Sequence, residues 1–279
     1  MENGTVVSFP YTPTKAGFRM ITLSCGNAGE KVTLLIEVNS IGITIEEVPN
    51  YKFKFKASDF TSNNGIIQWT AANKTIKASF SENFDWINGG LKYEYDENNK
   101  PIPYVHIKAG TTMSINYNIF GQDARTNGKC FKLIFKTTNC KNYDAQFLTC
   151  HDGASGLIME AQNAYYNTKN LQMDVKYCED SKIEFELDIT SSQNDKCYVI
   201  PWIDGVPAGV TLYNKNDDFF IGESDLIIGS PECDVCVYLI KFYEKTLDYD
   251  EHLSNFFADA LTGTEMVARY RRNDILDSR

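Results

Sequence analysis

A chain of 279 residues with 43% hydrophobic and 13% aromatic content, the aromatics mostly Phe and Tyr, holds enough apolar mass for a large β-rich core. Its net charge is −10, and its only basic cluster is Arg269, Arg271 and Arg272, so a phosphate-facing basic surface is not expected and nucleic acid is disfavoured as a partner. No apolar run reaches the roughly 18 residues of a membrane helix, and the N-terminus lacks the basic-then-apolar order of a secretory signal, so a soluble chain without a membrane partner is expected.

Residues 1–45 read as the end of a small separate module. A Pro-rich entry leads to Thr12-Pro13-Thr14-Lys15-Ala16-Gly17, a strand, a turn at Gly26 to Gly29 and a last strand Lys31 to Val38. This string resembles the closing strands of a bacterial immunoglobulin-like domain, and such a start in mid-motif leaves room for a longer protein. A plain N-terminal hairpin of the main domain is the alternative.

The main domain is expected over 46–247. Tyr51 to Lys56 alternates aromatics with lysines, the pattern of a half-buried strand with a charged outer face. Short strands then follow at Gly65–Thr70 and Lys74–Phe80, an aromatic loop at Phe84–Gly90, and alternation again through Val105–Phe120. Lys129–Lys136 reads as a central strand, and Ala145–Cys150, Gly156–Ala161, Leu171–Tyr177 and Lys182–Thr190 continue the rhythm. Many short, evenly spaced strands indicate an all-β antiparallel sandwich or barrel.

Cys197 to Leu247 carries the sharpest local signals. An apolar strand ends at Asp204-Gly205, a strong two-residue hairpin cue. Leu226–Gly229 is a buried-type strand closed by glycine, and Val235–Tyr243 alternates between two largely apolar faces, as in the middle of a sandwich. A strand ending in Asp-Gly, a return strand, an Ile-Gly-Ser strand and the closing run from Val237 to Leu247 with Glu251 beyond it resemble the concanavalin A-like (laminin G-like) jelly roll. After it, 248–279 reads as a helical tail. Asp248 or Asp250 is the cap, Glu251 lies in the first turn, and Leu253, Phe256, Phe257, Ala260 and Leu261 share a face. Gly263 is the stop signal, and Thr264 a second cap.

Four groups of residues invite chemistry. Period 2 puts Glu184, Glu186 and Asp188 on one strand face, and Glu186-Leu187-Asp188 matches part of the catalytic run of retaining glycosidases that share the jelly roll. Thr190 and Ser191 stand where the acid/base Glu should be, so no catalytic residue is assigned and the trio reads as a solvated rim. His106, His151 and His252 sit in no nucleophile motif. Of eight cysteines, most lie in strand-like runs and read as free buried thiols, suited to assembly in a reducing compartment. Cys233-x-x-Cys236 lacks a second pair, so no metal site is read from it. The loop with Asn214, Asn216, Asp217, Asp218, Glu223 and Asp225 is rich enough in oxygen to hold calcium, although it lacks the EF-hand pattern and a hydrated loop is the plainer reading. Otherwise no cofactor is expected.

The jelly-roll resemblance extends to domains of bacteriophage tail and minor structural proteins. There an immunoglobulin-like segment precedes the jelly roll and a tail follows like Asn255-Phe256-Phe257-Ala258-Asp259 with Tyr270-Arg271-Arg272-Asn273-Asp274-Ile275. It implies a non-catalytic virion structural or host-recognition module, assembled in the host cytoplasm, with a glycan or other virion proteins as partners and self-association open. A bacterial cell-surface carbohydrate-binding domain is the alternative, and a glycoside hydrolase of the same fold a weaker one. Sugar faces stack on rings and hydroxyls need directional partners, so the glycan-binding candidates are Trp86, Asn88, Asp204, Tyr213, Asn214 and Asn216. Trp86 and Trp202 have the competing reading of core residues.

Overall fold

The computed structural model describes residues 17–24, 31–38, 46–63, 66–71, 76–84, 90–119, 127–151, 156–161, 163–166, 172–176, 179–190, 196–214, 225–263 and 265. The chain divides into two compact units. One comprises Met1–Val48, Asp96–Lys100 and Leu253–Arg279, and the other Pro49–Tyr95 and Pro101–His252. In the first, β1 (Gly17–Ser24) and β2 (Lys31–Val38) form an antiparallel hairpin in continuous register from Gly17↔Val38 to Ser24↔Lys31. Also within this unit, the Val48 amide donates to Asn255 Oδ1 at 3.2 Å, and Thr262 Oγ1 accepts the Glu265 amide at 3.1 Å; the second cap expected at Thr264 lies outside the described residues.

The larger unit is a sandwich of antiparallel strands. In chain order they are β3 (Phe53–Lys56), β4 (Thr61–Asn63), β5 (Ile66–Thr70), β6 (Lys77–Phe80), β7 (Gly90–Tyr95), β8 (Pro101–Ile107), β9 (Met113–Ile115) and β10 (Lys129–Thr138). Next come β11 (Gln146–His151), β12 (Gly156–Glu160), β13 (Asn163–Tyr166), β14 (Gln172–Lys176), β15 (Ile183–Ile189) and β16 (Lys196–Ile203). The last are β17 (Val206–Pro207), β18 (Thr211–Asn214), β19 (Leu226–Ile228) and β20 (Asp234–Tyr243). One sheet runs β17-β16-β15-β10-β20-β8-β7, with β18 also on β16 and β3 on β20; the other runs β14-β13-β12-β11-β19-β9-β6-β5-β4. The expected all-β sandwich is what the chain builds. The uninterrupted alternation expected from Val105 to Phe120 is broken instead, because the chain turns at Gly110 (φ +86°) and passes from β8 in one sheet to β9 in the other.

The core lies between the sheets. From the first come Phe53, Phe55, Phe131, Leu133, Phe135, Phe185 and Leu187, and from the second Trp69, Met113, Ile115, Phe147, Leu157 and Ile228, all fully buried. Each such side chain contributes about 1.5–3 kcal/mol by leaving water. Phe135 and Phe147 meet across the gap with ring centroids 4.9 Å apart. The Trp69 indole N–H donates to Lys56 O at 2.9 Å, so its polar atom is satisfied.

Strand β20 departs from the straight alternation expected of it. A bulge opposite Ile134/Phe135 shifts the register, so the core takes Val235 and Val237 and then Ile240 and Phe242. Leu239 and Lys241 therefore face away from the inter-sheet core, yet both are buried. The tight hairpin is as expected: Ile203 pairs Val206 across Asp204 (φ +51°) and Gly205 (φ +77°), the doubly positive backbone of a type I′ turn. Asp248 and Glu251 form a reciprocal cap on α1 (Tyr249–Ala258), with Asp248 Oδ1 accepting the Glu251 amide at 2.8 Å and Glu251 Oε2 accepting the Asp248 amide at 3.1 Å. This helix ends at Ala258, short of the Gly263 stop. Among the described residues no helix is long and apolar enough to cross a membrane.

Glycine is required after β19. Gly229 has φ +140°, its amide donates to Phe147 O at 2.7 Å, and a Cβ there would lie 2.3 Å from Thr111 O and 2.9 Å from Thr112 Cα. Both obstacles are backbone, so Gly229→Ala is expected to cost at least about 2 kcal/mol. Urea unfolding of the variant beside the parent chain measures it.

Candidate functional site

The outer face of the first sheet, away from the inter-sheet core, holds two polar centres. The first grows from the pairing of β15 with β10. Opposite Glu186 lies Lys132, opposite Asp188 lies Cys130, and Glu184 sits opposite Ile134. Lys132 Nζ is 2.5 Å from Glu184 Oε1 and 2.8 Å from Glu186 Oε1. From the first turn of α1, His252 Nδ1 donates to Glu186 Oε2 at 2.6 Å, and the Leu247 amide donates to Asp188 Oδ1 at 3.3 Å. Trp202, in register with Glu186 on β16, stacks on the His252 ring at 4.2 Å between centroids and 23° between planes.

This corrects the reading of the acidic trio as a solvated rim. Glu184, Glu186 and Asp188 are each only 2% exposed. Period 2 placed them on one face correctly, but this face is covered by Leu247, His252 and Trp202. Burial alone would raise the Glu186 pKa, yet the Lys132 ammonium and the His252 ring outweigh it and hold the carboxyl at about 2. For Asp188 burial wins over His252 and the Leu247 amide, and the carboxyl is raised. Burial would lower His252, but the Asp188 and Glu186 carboxylates outweigh it and push the imidazole up to about 9. Two carboxyls pushed in opposite directions are the signature of an acid–base pair. Here a glycosidic bond cannot reach them, because the ring stack and the helix turn close the face.

The second centre reaches solvent. Asp234, at the start of β20, accepts from the Ala109 amide at 2.8 Å, Asn139 Nδ2 at 2.9 Å and His106 Nε2 at 3.2 Å. Burial would raise its pKa, but these donors lower it below the ordinary carboxylate range. His106 is lowered, first by burial and then by Lys92, against the pull of Asp234. Beside it Tyr104 packs on Tyr238 at 5.6 Å, and Lys136 stands 5.9 Å over the Tyr104 ring while pairing with Glu94 at 2.5 Å. A half-exposed tyrosine ringed by a lysine, a carboxylate and an imidazole offers one stacking surface with directional polar groups around it.

The rim candidates fall differently. Trp86, Asn88 and Asn216 lie outside the described residues, as does nearly all of the proposed calcium loop. Tyr213 and Asn214 are in β18, paired with Cys197 and Lys196. Asp204 is in the hairpin turn, where its Oδ1 accepts the Glu184 amide at 3.0 Å and its own amide donates to Glu184 O at 2.8 Å. Trp202 is buried, as its core reading had it, though on the outer face. Sequence reasoning missed Lys132, His252, Tyr104 and Asp234. Among the described cysteines, Cys130, Cys140, Cys150, Cys233 and Cys236 are free thiols, all but Cys140 buried.

No family model and no curated protein matches the chain. Solved structures do resemble it. The binding domain of botulinum neurotoxin DC, in complex with rat synaptotagmin II, superposes with TM-score 0.51 at 7% identity over 77% of this chain and 52% of that one. The binding domain of Paraclostridial Mosquitocidal Protein 1 gives 0.50 at 11% identity, over 75% and 52%. Domain 4 of AbnA, a GH43 extracellular arabinanase from Geobacillus stearothermophilus in complex with arabinotriose, gives 0.52 at 10% identity over 74% and 98%. The fold is a jelly-roll-like β-sandwich. The chain spans about half the length of the two toxin binding domains and matches nearly all of the arabinanase domain.

Two outcomes follow from the polar centres. Lys132→Met leaves Glu184 and Glu186 buried against each other without their cation and is expected to cost about 3–5 kcal/mol in a denaturant titration at neutral pH. Asp234→Asn is expected to cost about 1–2 kcal/mol at pH 7. The Asp234 pKa is depressed in the folded state, so its contribution is complete above the unfolded value of about 3.9 and fades as pH falls through the folded one. The gap between parent and variant therefore closes in acid, which melting curves from pH 7 to pH 2 record.

Proposed function

We propose that this chain is a non-catalytic binding module whose sandwich holds a carbohydrate or a neighbouring protein, and that it serves as a structural or host-recognition component of a bacteriophage virion. The observation that carries the non-catalytic reading is the burial of Glu184, Glu186 and Asp188. The strand that would supply a hydrolase of this fold with its carboxylates spends them on Lys132, His252 and the Leu247 amide. Support for a binding role comes from the sandwich and the half-exposed Tyr104 surface beside His106 and Asp234. The virion reading rests on the immunoglobulin-like start, the jelly-roll strands and the tail motif, and it puts the protein in the phage tail after assembly in the host cytoplasm. A bacterial cell-surface carbohydrate-binding domain is the second reading, favoured by the likeness to an arabinanase domain in complex with arabinotriose.

The glycan, on this reading, meets Trp86, Asn88, Asp204, Tyr213, Asn214 and Asn216 at the loop rim, or stacks on Tyr104 on the open face. A glycan array of the folded chain that includes host cell-wall polysaccharides, run with and without calcium, separates these. The expected result is specific binding that falls at least about tenfold, roughly 1.4 kcal/mol, in Trp86→Ala or Asn214→Ala for the rim, or in Tyr104→Ala for the sheet face. Silence across the array leaves only the protein-binding half of the proposal. Release of new reducing ends from any bound glycan overturns the non-catalytic reading.

A further inference from the structure

The two nitrogens of His252 keep different company. Nδ1 is committed to Glu186 at 2.6 Å. Nε2 is buried without a hydrogen-bond partner and stands 3.9 Å from Asp188 Oδ2, beyond hydrogen-bond reach. Cys130 closes the group: its Sγ, an Asp188 carboxylate oxygen and a His252 ring nitrogen all lie within 4.8 Å of one another, and all three residues are buried.

Thiol, carboxylate and imidazole together are a donor set for zinc-type ions, not for calcium or magnesium, which take oxygen alone. Bonds of about 2.0–2.3 Å at tetrahedral angles put two zinc ligands about 3.3–3.7 Å apart. The separation of 3.9 Å between Nε2 and Asp188 Oδ2 is close to that spacing. The surroundings fit as well. A ligating imidazole ordinarily donates its other N–H to a carboxylate; Glu186 stands in that place, braced by Lys132 at 2.8 Å. Asp188 is oriented by the Leu247 amide at 3.3 Å.

We propose that Cys130, Asp188 and His252 bind one zinc-type divalent ion through Sγ, a carboxylate oxygen and Nε2. Binding releases the Cys130 thiol proton to solvent, and Nε2 of His252 meets the ion as a lone pair while Nδ1–H stays on Glu186. The ion ties β10, β15 and the first turn of α1 to one another.

The test uses the full chain, stripped with a chelator, dialysed against zinc and assayed for bound metal by mass spectrometry. A cobalt-loaded sample is read for thiolate-to-cobalt charge-transfer absorption. Expected are one zinc per chain, the thiolate band, and a melting temperature raised by zinc. Cys130→Ser should abolish the band and weaken zinc retention by more than about 10–100-fold, the scale of losing only an outer-shell partner of a ligand, whereas Cys236→Ser, at another buried thiol, should change neither. Asp188→Asn decides the matter if Cys130→Ser does not fold. A folded parent chain that keeps no zinc, or retention unaltered by Cys130→Ser and Asp188→Asn, overturns the proposal.

Discussion

A buried ammonium held between two carboxylates sets the terms for the first sheet. Lys132 sits on β10, a central strand, and meets Glu184 and Glu186 with side chains almost wholly removed from water. Stripping such ions of hydration costs several kcal/mol each, and only close geometry with all partners present offsets it. The offset here needs a third element, because Glu186 also takes the His252 ring and Asp188 takes the Leu247 amide. The cluster thus works as a keyed joint. An apolar face would accept the helix start in several rotations, whereas this one accepts the placement that satisfies each carboxylate.

The strands around the joint are arranged to make it. β10 and β20 form the middle of the sheet, with every residue of β20 buried. Phe131, Leu133 and Phe135 point into the inter-sheet core while Cys130, Lys132 and Ile134 point outward. The bulge in β20 turns Ile240 and Phe242 into the core and leaves Leu239 and Lys241 on the outer face. Farther across the same face the packing loosens, and the Tyr104 and His106 surface is left half open. One end of the face is thus closed by ion pairs and a ring stack, and the other leaves the Tyr104 ring partly exposed.

Local signals were legible wherever the chemistry is local. Asp204-Gly205 announces a type I′ turn because few other pairs tolerate two positive φ angles. Asp248 and Glu251 announce a helix start because each can satisfy the other's amide. The strand rhythm followed from alternation, which left sandwich and barrel open, and the jelly-roll resemblance of Cys197 to Leu247 chose the sandwich. What escaped was information held in pairing. Period 2 shows that Glu184, Glu186 and Asp188 share a face, but not what covers it. Lys132 in the middle of Cys130–Lys136 was a signal, since a cation centred on an apolar strand needs an acidic neighbour, and β15 offers three carboxylates at matching period. His252 was hidden by distance, being 66 residues from Glu186. The bulge in β20 leaves no mark in its composition.

The central claim is that the acidic strand has a structural role. Scanning calorimetry of Glu186→Gln beside the parent chain tests it most directly. A carboxylate poised for catalysis or ligand capture sits under strain, and neutralising it generally leaves stability unchanged or raises it. A carboxylate that completes a buried ionic joint does the reverse. The account predicts a melting temperature lower by roughly 5–10 °C, as follows from a loss of about 3 kcal/mol in a domain of this size. An unchanged or higher melting temperature would contradict it and return the strand to the candidates for chemistry.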